Sequence, residues 1–169
     1  YVLIGGAVFP LFAGIYYWFP KWTGRHLSES LGKVNFWLLF MGMQLTFFPM
    51  HQLGLDGIPR RDYTYVDGLG WNGLNLLATV GAFTIAASVL AFAANVLRSI
   101  RSGDRAGADP WVSDTLEWAT SSPPPSYNFA HVPVVQGRSA LWERTPDEPL
   151  VVGLSTKRRE VLLTTILDA

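Results

Sequence analysis

Arg60 and Arg61 stand next to one another in a short polar link, residues 56–67. A guanidinium is planar and always charged, and it offers a carboxylate two parallel charge-assisted hydrogen bonds. Two of them in succession suit the recognition of buried or half-buried carboxylates. The same link holds Asp56, Asp62 and Asp67, so a solvated loop whose acids balance its arginines is an equal reading of these residues taken alone. The pair is out of place on one count. Lys and Arg gather in the cytoplasmic loops of membrane proteins, whereas this link joins two apolar runs on the side that the charge count below makes poor in basic residues.

Other chemistry-bearing residues are sparse. His26, His51 and His131 are far apart, and no cysteine or close carboxylate pair accompanies them in the spacing that holds a metal. His51 closes an apolar run, where the expected role is a hydrogen-bonded histidine at a membrane boundary rather than a ligand. The sequence has no cysteine, hence no disulfide, thiolate centre or catalytic thiol. Gly68-Leu69-Gly70-Trp71-Asn72-Gly73 has the spacing of a dinucleotide fingerprint. That motif needs a strand before it and an acidic residue about 20 positions on. Neither is present, and a turn that opens an apolar helix accounts for the glycines.

The elements that would carry these residues follow from where charge is missing. Of 169 residues 49% are hydrophobic and 15% charged, and the formal net charge is zero, which points to neither a nucleic-acid nor an acidic partner. Residues 1–20, 34–55 and 68–97 contain no Asp, Glu, Lys or Arg. A helix rises about 1.5 Å per residue and the hydrocarbon core is about 30 Å thick, so roughly 20 apolar residues cross it. The expectation is an all-α membrane protein with three transmembrane helices, near 1–19, 34–55 and 73–97. The alternative of three buried helices in a soluble bundle requires a polar face at a 3.6-residue period, which 74–97 lacks. Gly5, Gly6, Pro10 and Gly14 in the first run are tolerated where neighbouring helices satisfy the backbone. Pro49 is expected to kink or end the second helix. Ala82 with Ala86, and Ala87 with Ala91, invite close helix approach in the third. Gln44, Thr46, Asn75 and Asn95 can bond across helices, and no run holds the acid of a proton relay.

Seven of the eleven prolines fall between Pro110 and Pro149, which divides the chain into a transmembrane region, 1–97, and a Pro-rich tail, 98–169. Residues 111–125 read as extended or turning, with Pro123-Pro124-Pro125 favouring polyproline geometry. Residues 150–154 and 160–167 read as two short strands around Lys157-Arg158-Arg159. Lys and Arg number three in 21–33, two in 56–67 and three in 98–105. The positive-inside rule then puts the first link and the tail on the cytoplasmic side. The chain opens on Tyr1 with no basic stretch ahead of its first apolar run, which is not the form of a signal peptide. The expectation is a piece of a longer polypeptide, truncated at both ends.

Several motifs are similar to those of one family. Tyr1-Val2-Leu3, Trp18-Phe19-Pro20, the run Leu45-Thr46-Phe47-Phe48-Pro49-Met50-His51, and Leu53-Gly54-Leu55 through Pro59-Arg60-Arg61 resemble subunit I of the aa3-type haem-copper cytochrome c oxidases. Trp71, Asn75, Gly81 and Phe83 continue the likeness, and Leu116-Glu117-Trp118 with Ser121-Ser122-Pro123-Pro124-Pro125 resembles the tail of bacterial members. The likeness covers about residues 1–142. It departs from the family at Gln52 and Asp56, where relatives usually carry apolar or small residues.

The resemblance implies the last three of twelve helices, with the middle link on the positive side of the membrane. It implies that Arg60 and Arg61 hydrogen-bond and charge-pair with haem propionates. The reaction implied is four-electron reduction of oxygen to water with electrons from cytochrome c, coupled to proton translocation. The implied cofactors of the full enzyme are haem a, haem a3 and copper. The axial pair of the family, His-x-His, would fall just before Tyr1, and the copper ligands lie on earlier helices. The implied partners are membrane lipid, the rest of subunit I, oxidase subunits II and III, and cytochrome c. The implied location is the bacterial inner (plasma) membrane, with a cytoplasmic extension that resembles chains fused to subunit III in some bacteria. Two readings from other classes stand beside it: a stand-alone membrane scaffold or assembly protein with a docking tail, and a small transporter, which the lack of intramembrane charge disfavours.

Overall fold

The computed structural model describes residues 1–129, 139, 150–155 and 162–166. A π-helical turn, Ile4–Val8, leads without interruption into α1, Phe9–Thr23. α2 spans Glu29–Leu55 and α3 spans Asn72–Ser102. A single 3-10 turn, Leu116–Ala119, follows, and two strands, β1 (Leu150–Ser155) and β2 (Leu162–Ile166), pair antiparallel. The sequence placed those strands at 150–154 and 160–167; the observed register runs from Leu150 opposite Ile166 to Ser155 opposite Leu162, with a bulge between Val151 and Gly153. Lys157-Arg158-Arg159 and His131 lie outside the described residues. Among the described residues α3 is the helix long and apolar enough to cross a membrane. The π-helical turn extends the 15 residues of α1 toward the N-terminus in one continuous helical stretch.

The chain divides into two compact units: Tyr1–Ala13 with Leu27–Arg101, and Gly14–His26 with Ser102–Ala169. In the first, α2 buries Asn35, Leu39, Gly42, Met43, Thr46, Pro49 and Leu53, and α3 buries Ala78, Gly81, Ser88, Asn95 and Ser99. These buried rows, spaced mostly by three, four or seven residues, make this the seam of an antiparallel helix pair, with small and polar residues at most positions of α3 where a water-soluble seam would place Leu. A Cβ on Gly42 would fall 2.8 Å from Ile85 Cγ1, and one on Gly81 would fall 2.6 Å from the Leu45 carbonyl carbon. The glycines therefore set the helix separation. The alanine pairs read as sites of close helix approach, Ala82 with Ala86 and Ala87 with Ala91, lie away from this buried row.

Polar residues lock the pair. Asn35 Nδ2 donates to the Ser88 carbonyl (3.0 Å) and to Ser88 Oγ (2.8 Å), while Ser88 Oγ donates back to the Asn35 carbonyl (3.0 Å). The Ser28 side chain does not cap α2. Instead the Asn95 amide takes both main-chain groups of Ser28, accepting from its N–H (2.9 Å) and donating to its carbonyl (3.0 Å). Of the four residues expected to bond across helices, Asn95 does so, and Gln44 accepts from Tyr1 Oη (2.8 Å). Thr46 and Asn75 bond within their own helices, to the Gly42 and Trp71 carbonyls. Pro49 does not end α2, which runs six residues further, because the seam holds both sides of the proline in place.

In the second unit the end of α1 gathers the segment that follows α3. Arg25 and Arg105 form an antiparallel bridge, with His26 N–H on the Asp104 carbonyl and Ala106 N–H on the Gly24 carbonyl, both 2.9 Å. Gly24 has φ +69°, and a Cβ there would meet the Ser122 carbonyl oxygen at 2.8 Å, so two independent demands call for glycine. Phe19, Pro20, Lys21, Trp118, Ala119 and Thr120 are buried. Tyr17 touches Trp111 as a stacked ring (5.8 Å) and Trp118 edge-on (5.1 Å).

Candidate functional site

The arginine pair is placed by the way α2 stops. Gly57 takes φ +91°, and the Ile58 N–H returns to the Leu53 carbonyl (3.0 Å), which closes the helix in a left-handed cap. Pro59 follows and cannot rejoin a helix. Arg60 and Arg61 therefore come at the first two positions after the stop, both exposed. Arg61 has φ +66°, uncommon for a side chain of its size.

The acids that could balance them do not. Asp56 accepts a hydrogen bond from Gln52 Nε2 (2.9 Å), and among the described residues the ion pair is Lys33 with Glu29, on the exposed face of α2. Neither Arg60 nor Arg61 meets a carboxylate of its own link. Downstream, Gly68 and Gly70 take positive φ and turn the chain into α3, with Tyr65 edge-on to Trp71 (5.8 Å). No strand precedes these glycines among the described residues, so they form the turn expected of them and no phosphate cradle.

The histidines stay apart. His51 Nδ1 lies 2.8 Å from the Phe47 carbonyl, which can only accept, so Nδ1 carries the proton and Nε2 faces outward. Its ring meets Tyr1 edge-on at 5.3 Å. His26 stands edge-on to Trp111 at 6.1 Å. No group of three or more His, Cys, Asp or Glu that could hold a metal occurs among the described residues.

Sequence reasoning missed one site. Lys21, counted only as a basic residue of the first link, is buried with its ammonium against main-chain carbonyls of the tail segment. Burial pushes it below the usual lysine range, and Asp109 and Glu117 partly oppose this. Carbonyls of the main chain leave no side-chain pattern to read.

Residues 1–84 match the family model for cytochrome c and quinol oxidase polypeptide I. The chain is also 49% identical over 159 residues to cytochrome c oxidase subunit 1 of Bacillus sp. (strain PS3), an overlap of 89% of this chain and 26% of that protein. It belongs to the cytochrome c and quinol oxidase polypeptide I family. Similar relatives include cytochrome c oxidase subunit 1 of Bacillus subtilis (strain 168), 47% identical over the same 89% of this chain, and that of Synechocystis sp., 50% identical over 80% of it. The chain spans about a quarter of the length of these relatives. Members of this family are membrane-embedded, which gives the exposed apolar surface of α3 its environment.

Proposed function

We propose that this chain is the part of an oxidase catalytic subunit that walls the propionate side of the haem compartment, with Arg60 and Arg61 as the carboxylate-binding residues. The observation that carries this reading is the pair itself: two exposed guanidinium groups, fixed just past a helix stop, with no carboxylate partner in their own link. That donor set fits a group bearing two carboxylates, since each fork can grip one with parallel hydrogen bonds. The relatives are cytochrome c oxidase subunits, and the proposed reaction is four-electron reduction of oxygen to water with electrons from cytochrome c, coupled to proton translocation.

In that enzyme haem a, haem a3 and copper supply the redox chemistry, and their axial and copper ligands belong to parts of the subunit outside this chain. The residues here hold and tune. A guanidinium beside a carboxylate favours its ionised form, and loss of that positive charge moves the carboxylate's proton affinity and the electrostatics around it. The helical stretches near residues 1–19, 34–55 and 73–97 cross the membrane, with the arginine link on the positive side and residues 98–169 as a cytoplasmic tail. The reading places the protein in the bacterial plasma membrane beside the rest of subunit I and subunits II and III. Identity that runs through both the helices and the tail favours it over a stand-alone scaffold.

The test uses the full-length subunit in its complex. Arg60→Leu and Arg61→Leu are each expected to shift the haem midpoint potentials, and Lys at either site to recover only part of the shift, because an ammonium has no fork. Unchanged potentials in both leucine variants would sink the assignment.

A further inference from the structure

Lys21 sits in the last turn of α1 with only 6% of its surface exposed. An amino group taken from water needs replacement acceptors, and it has them. Nζ donates to the carbonyls of Thr120 (2.6 Å), Ala108 (3.1 Å) and, at the limit of a hydrogen bond, Ser121 (3.5 Å). It also lies 5.3 Å from the centre of the Trp118 ring, whose face attracts a cation. Three acceptors match the three donors of an ammonium. The ion pair among the described residues is elsewhere, at Lys33 and Glu29, so this site works through directed N–H bonds rather than a salt bridge.

Two features make the site more than one contact among many. Its acceptors are main-chain atoms from two separate stretches, residue 108 and residues 120–121, so one side chain gathers the segment whatever side chains it bears. The segment also carries a burden in its folded form. Trp118 is fully buried, and its Nε1–H has no acceptor among the described residues. A buried donor without a partner favours the opened state, and the Lys21 bonds oppose it at the same ring.

We propose that Lys21 is a latch: its amino group, clamped by the carbonyls of Ala108, Thr120 and Ser121 over the Trp118 indole, is what keeps residues 108–122 folded onto the end of α1, beyond the bonds that Gly24, Arg25 and His26 make to residues 103–106. Remove the N–H donors and the segment opens, which exposes Trp118. The segment's position is then set by a removable side chain, and its opening is a local event that leaves α2 and α3 unchanged.

The experiment uses the full-length protein in detergent and follows chymotryptic cleavage after Trp118 by mass spectrometry. Cleavage at a buried site tracks the opened population when reclosing is fast. Lys21→Met keeps the aliphatic stem and loses the donors, and it is expected to raise the cleavage rate at least tenfold. Lys21→Ala behaves likewise, and added ethylammonium, but not ethanol, restores protection. Cleavage of both variants at the wild-type rate overturns the latch. A second measurement needs no variant. In the wild type an amine-acylating reagent is expected to modify Lys21 at least tenfold more slowly than Lys33, whose side chain is 70% exposed. Equal rates overturn the proposal. Neither readout involves haem, so this inference and the arginine assignment fail or stand separately.

Discussion

Gly81→Ala tests whether the α2–α3 seam is closed as tightly as the geometry states. A Cβ at residue 81 would lie 2.6 Å from the Leu45 carbonyl carbon and 2.5 Å from Thr46 Oγ1, with Thr46 N nearer still. These are backbone atoms or sit hard against backbone, so no side-chain rotation relieves the clash. The helices must part by roughly 1 Å to reach ordinary van der Waals separation. Ser88 lies seven residues along, about 10 Å by helical rise, and its bonds of 2.8 and 3.0 Å to Asn35 would stretch beyond hydrogen-bond range. Overpacking of this kind costs about 1–3 kcal/mol, and each interhelical hydrogen bond lost in a membrane adds about 0.6 kcal/mol. The sum is about 2–5 kcal/mol of destabilisation. Gly54→Ala is the control, because a Cβ there meets nothing within 4 Å. In a helix that exchange favours Ala by about 0.5–1 kcal/mol. Thermal denaturation of the two full-length variants in one detergent should move in opposite directions. Equal melting temperatures, or a Gly81→Ala protein as stable as wild type, would refute the reasoning.

Trp118→Phe removes a buried N–H that has no acceptor while it keeps an aromatic face toward Lys21, so the tail segment should be protected from chymotrypsin at least as well as in wild type; faster opening would show that Nε1 has a partner after all. Burial lowers the Lys21 pKa from 10.5, so in the window between the lowered value and 10.5 the folded segment binds fewer protons than the opened one. Linkage then makes folding of the segment strengthen as pH rises through that window, with the penalty fully present below it. The neutral amine keeps two donors for the two shorter bonds and gives up the 3.5 Å one. Cleavage after Trp118, normalised to an unstructured peptide of the same sequence between pH 8 and 10.5, should therefore fall, and a rise would mean that charge rather than donor geometry holds the segment.

What could be read from the sequence was whatever side chains announce. Charge-free runs marked the helical stretches and the polar residues 56–67 marked the link that holds Arg60 and Arg61, whereas the stop made by Gly57 and Pro59 came from the structure. Two equal readings of that pair remained, and the structure adds that Asp56 turns to Gln52 rather than to either arginine. α3 read as apolar all round because its buried residues are Gly, Ala, Ser and Asn rather than Leu, and the heptad row Gly81, Ser88, Asn95 was not picked out. Pro49 was expected to kink or end α2 because its lost N–H is visible in sequence, and the packing that lets the helix run on is not. Lys21 was invisible for a deeper reason. Its partners are carbonyls, which every residue possesses, and only the path of the chain selects Ala108, Thr120 and Ser121 from the rest.

Under the proposed topology, the mutual satisfaction of Asn35 and Ser88 bears on how these helices would enter a membrane. Either helix alone would offer hydrocarbon a naked amide or hydroxyl, and α2 adds a proline and several other polar side chains to that. Together they conceal the Asn35 and Ser88 groups from anything outside the pair. The natural solute is thus the hairpin, and a translocation channel that released α2 before α3 was at hand would be releasing the poorer half of a molecule whose solubility in lipid is a property of two helices at once.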